Sequence, residues 1–148
     1  MAHERGYEAA GEHAVFVDTG AYVGLSVIRD SHHDEAVALF ERLGRAQIHL
    51  VTTNFVVVET HALILARSGR DLAASVLSWI DASPPLKIRV SEDDERRARE
   101  IITRYRDKGF TLTDATSFAV MERLDINRAV AFDRHFARYG FHLVGAAP

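Results

Sequence analysis

Apolar positions along the chain fall into two rhythms: short unbroken runs, and longer stretches at helical spacing. The runs "AVFV" (14 to 17), "IHLV" (48 to 51) and "AVAF" (129 to 132) have the length of strands buried on both faces. "LKIRV" (86 to 90) alternates as a peripheral strand does, and "FHLV" near the C-terminus is a candidate fifth. Between them the 3.6-residue rhythm predicts helices over about 20 to 28, 33 to 43, 53 to 68, 71 to 81, 92 to 107 and 112 to 124. Gly44, Gly69 and Gly109 stand where three of these would stop, and the Pro84-Pro85 pair closes the fourth. Strands alternating with helices imply a parallel sheet covered on both faces. The expected fold is a three-layer α/β/α domain with a mainly parallel central sheet of four or five strands.

Composition narrows the function classes more than the fold. The chain has 148 residues, 47% of them apolar, which suits one domain. We place that domain at 13–148, behind a flexible tail at 1–12. There is no cysteine, so thiolate metal sites, Cys nucleophiles and disulfide scaffolds drop out, and a reducing cytoplasm fits. No run has the length of a membrane span, and "MAHERGYEAAGEH" lacks the apolar core of a signal peptide. A net charge of -3 provides no overall basic field for nucleic acid. All but two of the eighteen basic residues are nevertheless Arg, which suits both bidentate phosphate contact and surface ion pairs.

The acids carry the chemistry. Ligands in open parallel sheets bind at the carboxyl ends of the strands, and Asp18 follows "AVFV" directly as Asp133 follows "AVAF". Either one alone also reads as the N-cap of the next helix. Glu59, within "TTNFVVVETHALILAR", shares a helical face with Phe55, Val56, Ala62, Leu63 and Ala66, and has no Lys or Arg within a turn. A carboxylate in a buried apolar stripe must be protonated, paired across space or bound to a cation. Asp114, in "TLTDATSFAVMERL", stands at the third helical position after a Thr111 cap, where the helix dipole favours it, yet it shares the face of Phe118 and Met121. Several carboxylates at one strand edge repel each other unless a cation lies among them. An all-oxygen donor set points to Mg²⁺ or Mn²⁺ rather than zinc, and so to phosphoryl chemistry.

"VFVDTGAYVGL", "TTNFVVVET", "TLTDATSFAVMERL" and "AVAFDRHFARYG" resemble, in order and spacing, the four motifs of PIN-domain ribonucleases, and the compact chain resembles the VapC-type toxins of toxin-antitoxin pairs. The likeness runs from about Val15 to Val144. It implies that Asp18, Glu59 and Asp114 are the core acids, that Asp133 is the more variable fourth, and that Thr19 and Ser117 support them. It implies a metal-dependent endoribonuclease with one or two Mg²⁺ or Mn²⁺ ions per site, which in two-ion form lie about 3.5–4 Å apart. It further implies an RNA substrate, a homodimer and a cognate antitoxin that silences the site. The RNA itself is left open.

Two other readings compete. A PIN-like module can bind RNA or protein without cutting, or process RNA without an antitoxin; retention of all four acids favours cleavage. "VFVDTGA" is also an aspartic-protease string, but such a protease is built of β structure and would leave Glu59 and Asp114 unexplained. "HHDE" (32 to 35) and "EDDERRARE" (92 to 100) read as solvated helix starts, and His61 and His135 as surface or packing histidines.

Overall fold

The computed structural model describes residues 13–82 and 85–145; the tail expected at 1–12 and Pro84 lie outside them. Five strands form one parallel sheet: β1 (Ala14–Val17), β2 (His49–Thr53), β3 (Leu86–Ile88), β4 (Arg128–Val130) and β5 (His142–Leu143). The helices are α1 (Thr19–Ser26), α2 (His33–Arg45), α3 (Asn54–Ser68), α4 (Arg70–Ala82), α5 (Glu92–Arg104), α6 (Leu112–Arg123) and α7 (His135–Tyr139). The expected α/β architecture with a central parallel sheet is present, "FHLV" does contribute a fifth strand, and the Asp-Thr-Gly string opens a helix rather than a β-built protease loop.

Strand order β3-β2-β1-β4-β5 puts β1 at the centre. The chain first builds outward on one side of β1 and then crosses to β4 on the other, so the switch point lies between β1 and β4, registered Phe16 to Ala129 and Val17 to Val130. All four β1 residues are fully buried, which is why the run carries no alternation. Val15, Phe16 and Val17 each contribute about 1.5–3 kcal/mol on burial.

Most differences from the expected boundaries have a local cause. β2 extends through buried Thr52 and Thr53, because the Thr53 side chain then accepts from the Val56 amide (3.2 Å) and caps α3. Ala131 and Phe132 leave the ladder after β4. Gly44 stops nothing: α2 runs through it to Arg45, and Gln47 takes the left-handed conformation (φ 54°). α5 ends at Arg104, before Gly109, which has φ 65° in the loop beyond. Gly69 does follow α3, with φ 90°.

Two packing features hold the elements around the switch point. α6 is buried from Asp114 to Met121 without a break, clamped between neighbours rather than lying on the surface. Its Phe118 meets Phe110 and Phe136 edge-on (5.1 and 4.9 Å) and stacks on Tyr139 (4.5 Å), tying α6 to α7. At α1, a Cβ on Gly24 would come within 3.2 Å of the Phe132 ring, so glycine permits the loop before α7 to sit close. His32 covers the other side of that ring, stacked at 4.5 Å.

Candidate active site

Asp18 is the first residue beyond β1. Its amide extends the ladder to the Val130 carbonyl (3.1 Å), and its own carbonyl accepts from the amides of Ala21 and Tyr22. Its side chain makes no capping bond to α1, so the ordinary reason for an Asp at this position fails. The carboxyl is only 5% exposed. Burial pushes its pKa up to about 8, with the Thr19 amide opposing and the charges of Asp114, Asp133 and Glu59 adding to the rise. Acids from three other segments therefore act electrostatically on Asp18.

Asp114 is held twice over. It completes a capping box with Thr111, whose side chain accepts from the Asp114 amide (3.0 Å) and whose amide donates to Asp114 Oδ2 (3.0 Å). The same Oδ2 lies 2.8 Å from His135 Nδ1. Asp133 sits in the exposed turn before α7, where its Oδ1 accepts from the His135 amide (2.9 Å). Donor atoms of Asp114, Asp133 and His135 all fall within 4.8 Å of one another, close enough for one metal ion.

His135 was read from sequence as a surface or packing histidine, and the structure corrects this. It is half-buried and bonded to both acids. Its position two residues after Asp133 was the available signal, but that spacing acquires meaning only once a helix starts there. His61 is half-buried on α3.

Glu59 occupies a different environment from the one expected. Of the residues predicted to share a buried stripe with it, Val56 is buried, Phe55 is half-buried, and Ala62, Leu63 and Ala66 are exposed; α3 buries Val56, Thr60 and Ile64 instead. α3 is apolar on nearly every side, so periodicity could not select its inner face. Glu59 is half-buried and lines a pocket of about 330 Å³ with Phe55, Val58, Ala62 and Thr113. Its charge nevertheless reaches Asp18.

The two supporting hydroxyls differ. Thr19 Oγ1, beside Asp18, is buried without a hydrogen-bond partner, an orphan of the kind a bound ion or water satisfies. Ser117 Oγ donates within its helix to the Thr113 carbonyl (2.9 Å), so its proton is committed. Among the described residues, the group of donor atoms within reach of one ion is that of Asp114, Asp133 and His135. Asp18 and Glu59 are not in that group; Asp18 is tied to its acids, and to Glu59, through their charges, and an oxygen-rich set of this kind suits a hard divalent cation.

Comparisons with known proteins give this arrangement a lineage. Residues 15–142 match the model of the PIN domain. The chain is 34% identical over 129 residues to the 23S rRNA-specific endonuclease VapC20 of Mycobacterium tuberculosis, covering 86% of this chain and 95% of that protein. It is 32% identical over 127 residues to the VapC ribonuclease of Archaeoglobus fulgidus, covering 84% and 80% respectively. The crystal structure of VapC20, described as a sarcin-ricin loop cleaving toxin, matches with a TM-score of 0.81 at 32% identity over 88% of this chain and 98% of that one. On fold, motif order and these similarities together, the chain belongs to the PIN-domain family as a VapC-type endoribonuclease.

Proposed function

We propose that Asp18, Glu59, Asp114 and Asp133 are the catalytic metal ligands of this nuclease, that they hold one or two Mg²⁺ or Mn²⁺ ions, and that the substrate is a looped segment of ribosomal RNA. The observation that carries the metal assignment is the convergence of Asp114 and Asp133 donor atoms within reach of one ion, supported by the buried Asp18, whose pKa burial and the charges of Asp114, Asp133 and Glu59 push up to about 8. The ribosomal substrate rests on the activity named for VapC20.

A divalent ion held there supplies an activated water and neutralises charge on the phosphodiester. The chain supplies the rest. β1 delivers Asp18 at a fixed point on the strand edge, the capping box holds the Asp114 carboxyl at the start of α6, and Thr19 offers a hydroxyl beside Asp18. Glu59 stands on the wall of the pocket that Phe55, Val58, Ala62 and Thr113 share with it. The purified protein should cut ribosomal RNA internally, leaving 5′-phosphate and 3′-hydroxyl ends, and should stop in chelator. Cleavage that persists in excess EDTA and yields cyclic phosphates would mean attack by the RNA's own 2′-hydroxyl and would overturn the assignment.

The same reading extends to partners: a homodimer in the cytoplasm, silenced by a cognate antitoxin. Exposed Val58, Leu63 and Leu65 on α3, and an apolar pocket of about 360 Å³ walled by Leu25, Leu72, Val76 and Trp79, support protein partners. Among the described residues, no helix is long and apolar enough to cross a membrane. Co-expression with the product of the adjacent reading frame, followed by size-exclusion chromatography with light scattering, tests both associations.

A further inference from the structure

His135 is the first residue of α7, and it touches both acids by different routes. Its backbone amide donates to Asp133 Oδ1 (2.9 Å), while its ring Nδ1 lies 2.8 Å from Asp114 Oδ2 and 4.0 Å from Asp133 Oδ2. Asp114 Oδ2 already accepts from the Thr111 amide. In the Nδ1–H tautomer the ring donates to that same oxygen. Two donors converging on one oxygen fix the plane of the carboxylate and leave Oδ1 as the oxygen free to take an ion.

The ring is itself immobilised. Phe110 meets it edge-on at 5.6 Å, and α7 is anchored on Phe118 through Phe136 and Tyr139. Phe118 lies one turn beyond Asp114 on α6. The acid and the ring that bonds to it are therefore held by one aromatic cluster.

We propose that His135 is a positioning residue: it orients the Asp114 carboxylate through Nδ1 and the Asp133 carboxylate through its amide, presetting both acids for metal. This rests on the reading of Asp114 and Asp133 as ligands. It differs from the simpler notion that Nδ1 is a third ligand, because a nitrogen that donates a hydrogen bond has no lone pair to give an ion; ligation through Nε2 is the rival that the His135 variants separate.

Calorimetric titration of the full-length protein with Mn²⁺ separates these ideas, with circular dichroism confirming that each variant is folded. His135→Ala should weaken Mn²⁺ binding about 10-fold, the lower end of what loss of a ligand-orienting partner costs. His135→Asn, whose amide nitrogen can reach the place of Nδ1, should recover most of that affinity, and His135→Gln should not. In an Asp114→Asn background, His135→Ala should have little further effect, since the partner it orients is already altered. Wild-type affinity in His135→Ala overturns the proposal. So does His135→Asn binding as weakly as His135→Ala, which would make the ring a direct ligand, or an undiminished effect in the Asp114→Asn background. Should Asp114→Asn alone bind Mn²⁺ like the wild type, the metal-site reading itself falls, and the inference with it.

Discussion

α5 and α6 begin with the same local device and put it to opposite uses. Ser91 and Asp94 form one capping box, Thr111 and Asp114 the other; in both, the acid is the third helical residue and is almost fully buried. Asp94 then meets Arg123 through two bonds, from Nε (3.0 Å) and Nη2 (2.9 Å). Burial alone would raise its pKa, but the hydrogen bonds from Arg123 and Ser91 and the Arg123 charge override it and hold the carboxyl below its ordinary value. Asp114 meets a histidine and faces other carboxylates. Capping explains where an acid stands. Only the charge around it separates a structural acid from a chemical one.

The sharpest way to break this comparison is to neutralise each acid in turn. Asp114→Asn should reduce RNA cleavage to background, whereas Asp94→Asn should retain cleavage per folded molecule. Gel assays on ribosomal RNA, normalised to the folded fraction, check this; equal losses would erase the distinction. Asp18→Asn should match Asp114→Asn, and Asp133→Asn should do less harm because Asp133 is exposed and already engaged with the His135 amide.

The two regions should next differ in their response to pH. Asp18 holds its proton more tightly in the folded chain, with a pKa near 8 against 3.8 for the ordinary group. Its favourable contribution in metal-free protein is therefore complete below about pH 4 and is lost as pH rises towards and past 8. The total is on the order of 5 kcal/mol at most. Asp94 has the opposite sign: its contribution is present above the ordinary carboxylate range and fades in acid. Melting curves in EDTA should show a fall between about pH 4 and 8 that levels off above it, that Asp18→Asn flattens and that saturating Mn²⁺ removes. Glu59→Gln should raise the metal-free melting temperature by removing a repelling charge.

Breaking the ion pair should cost less than that. Asp94→Asn weakens the two bonds that Arg123 makes to this carboxylate, but Arg123 is about one-third exposed and water compensates it, so about 2 kcal/mol is expected rather than the roughly 3–5 of a fully buried pair. Urea denaturation measures it. The smallest and most symmetrical effect belongs to the caps. Ser91→Ala and Thr111→Ala should each cost about 1 kcal/mol, and a marked inequality would show that one box supports more than its helix.

Several features were legible in the chain because they depend on near neighbours. The apolar β1 run announced a buried strand, and the Thr111–Asp114 spacing announced the helix start. α7 escaped detection because five residues make too little of a turn for periodicity to register. The inner face of α3 was misassigned because Val57, Val58, Leu63 and Leu65 make it apolar all round, and tertiary packing alone selects Val56, Thr60 and Ile64 for burial.

The sequence by itself determined the element order, the parallel sheet and the acids available at its carboxyl edge, since hydrophobic period and strand-end position are properties of neighbouring residues. The tertiary structure decided what each acid meets: Asp94, expected in a solvated helix start, is buried and found Arg123, 29 residues away, and Asp114 found His135, 21 away. Local spacing cannot distinguish the two. Electrostatic energy depends on distance and burial in space, and both are set only when the crossover to β4 brings α6 and α7 against the end of β1.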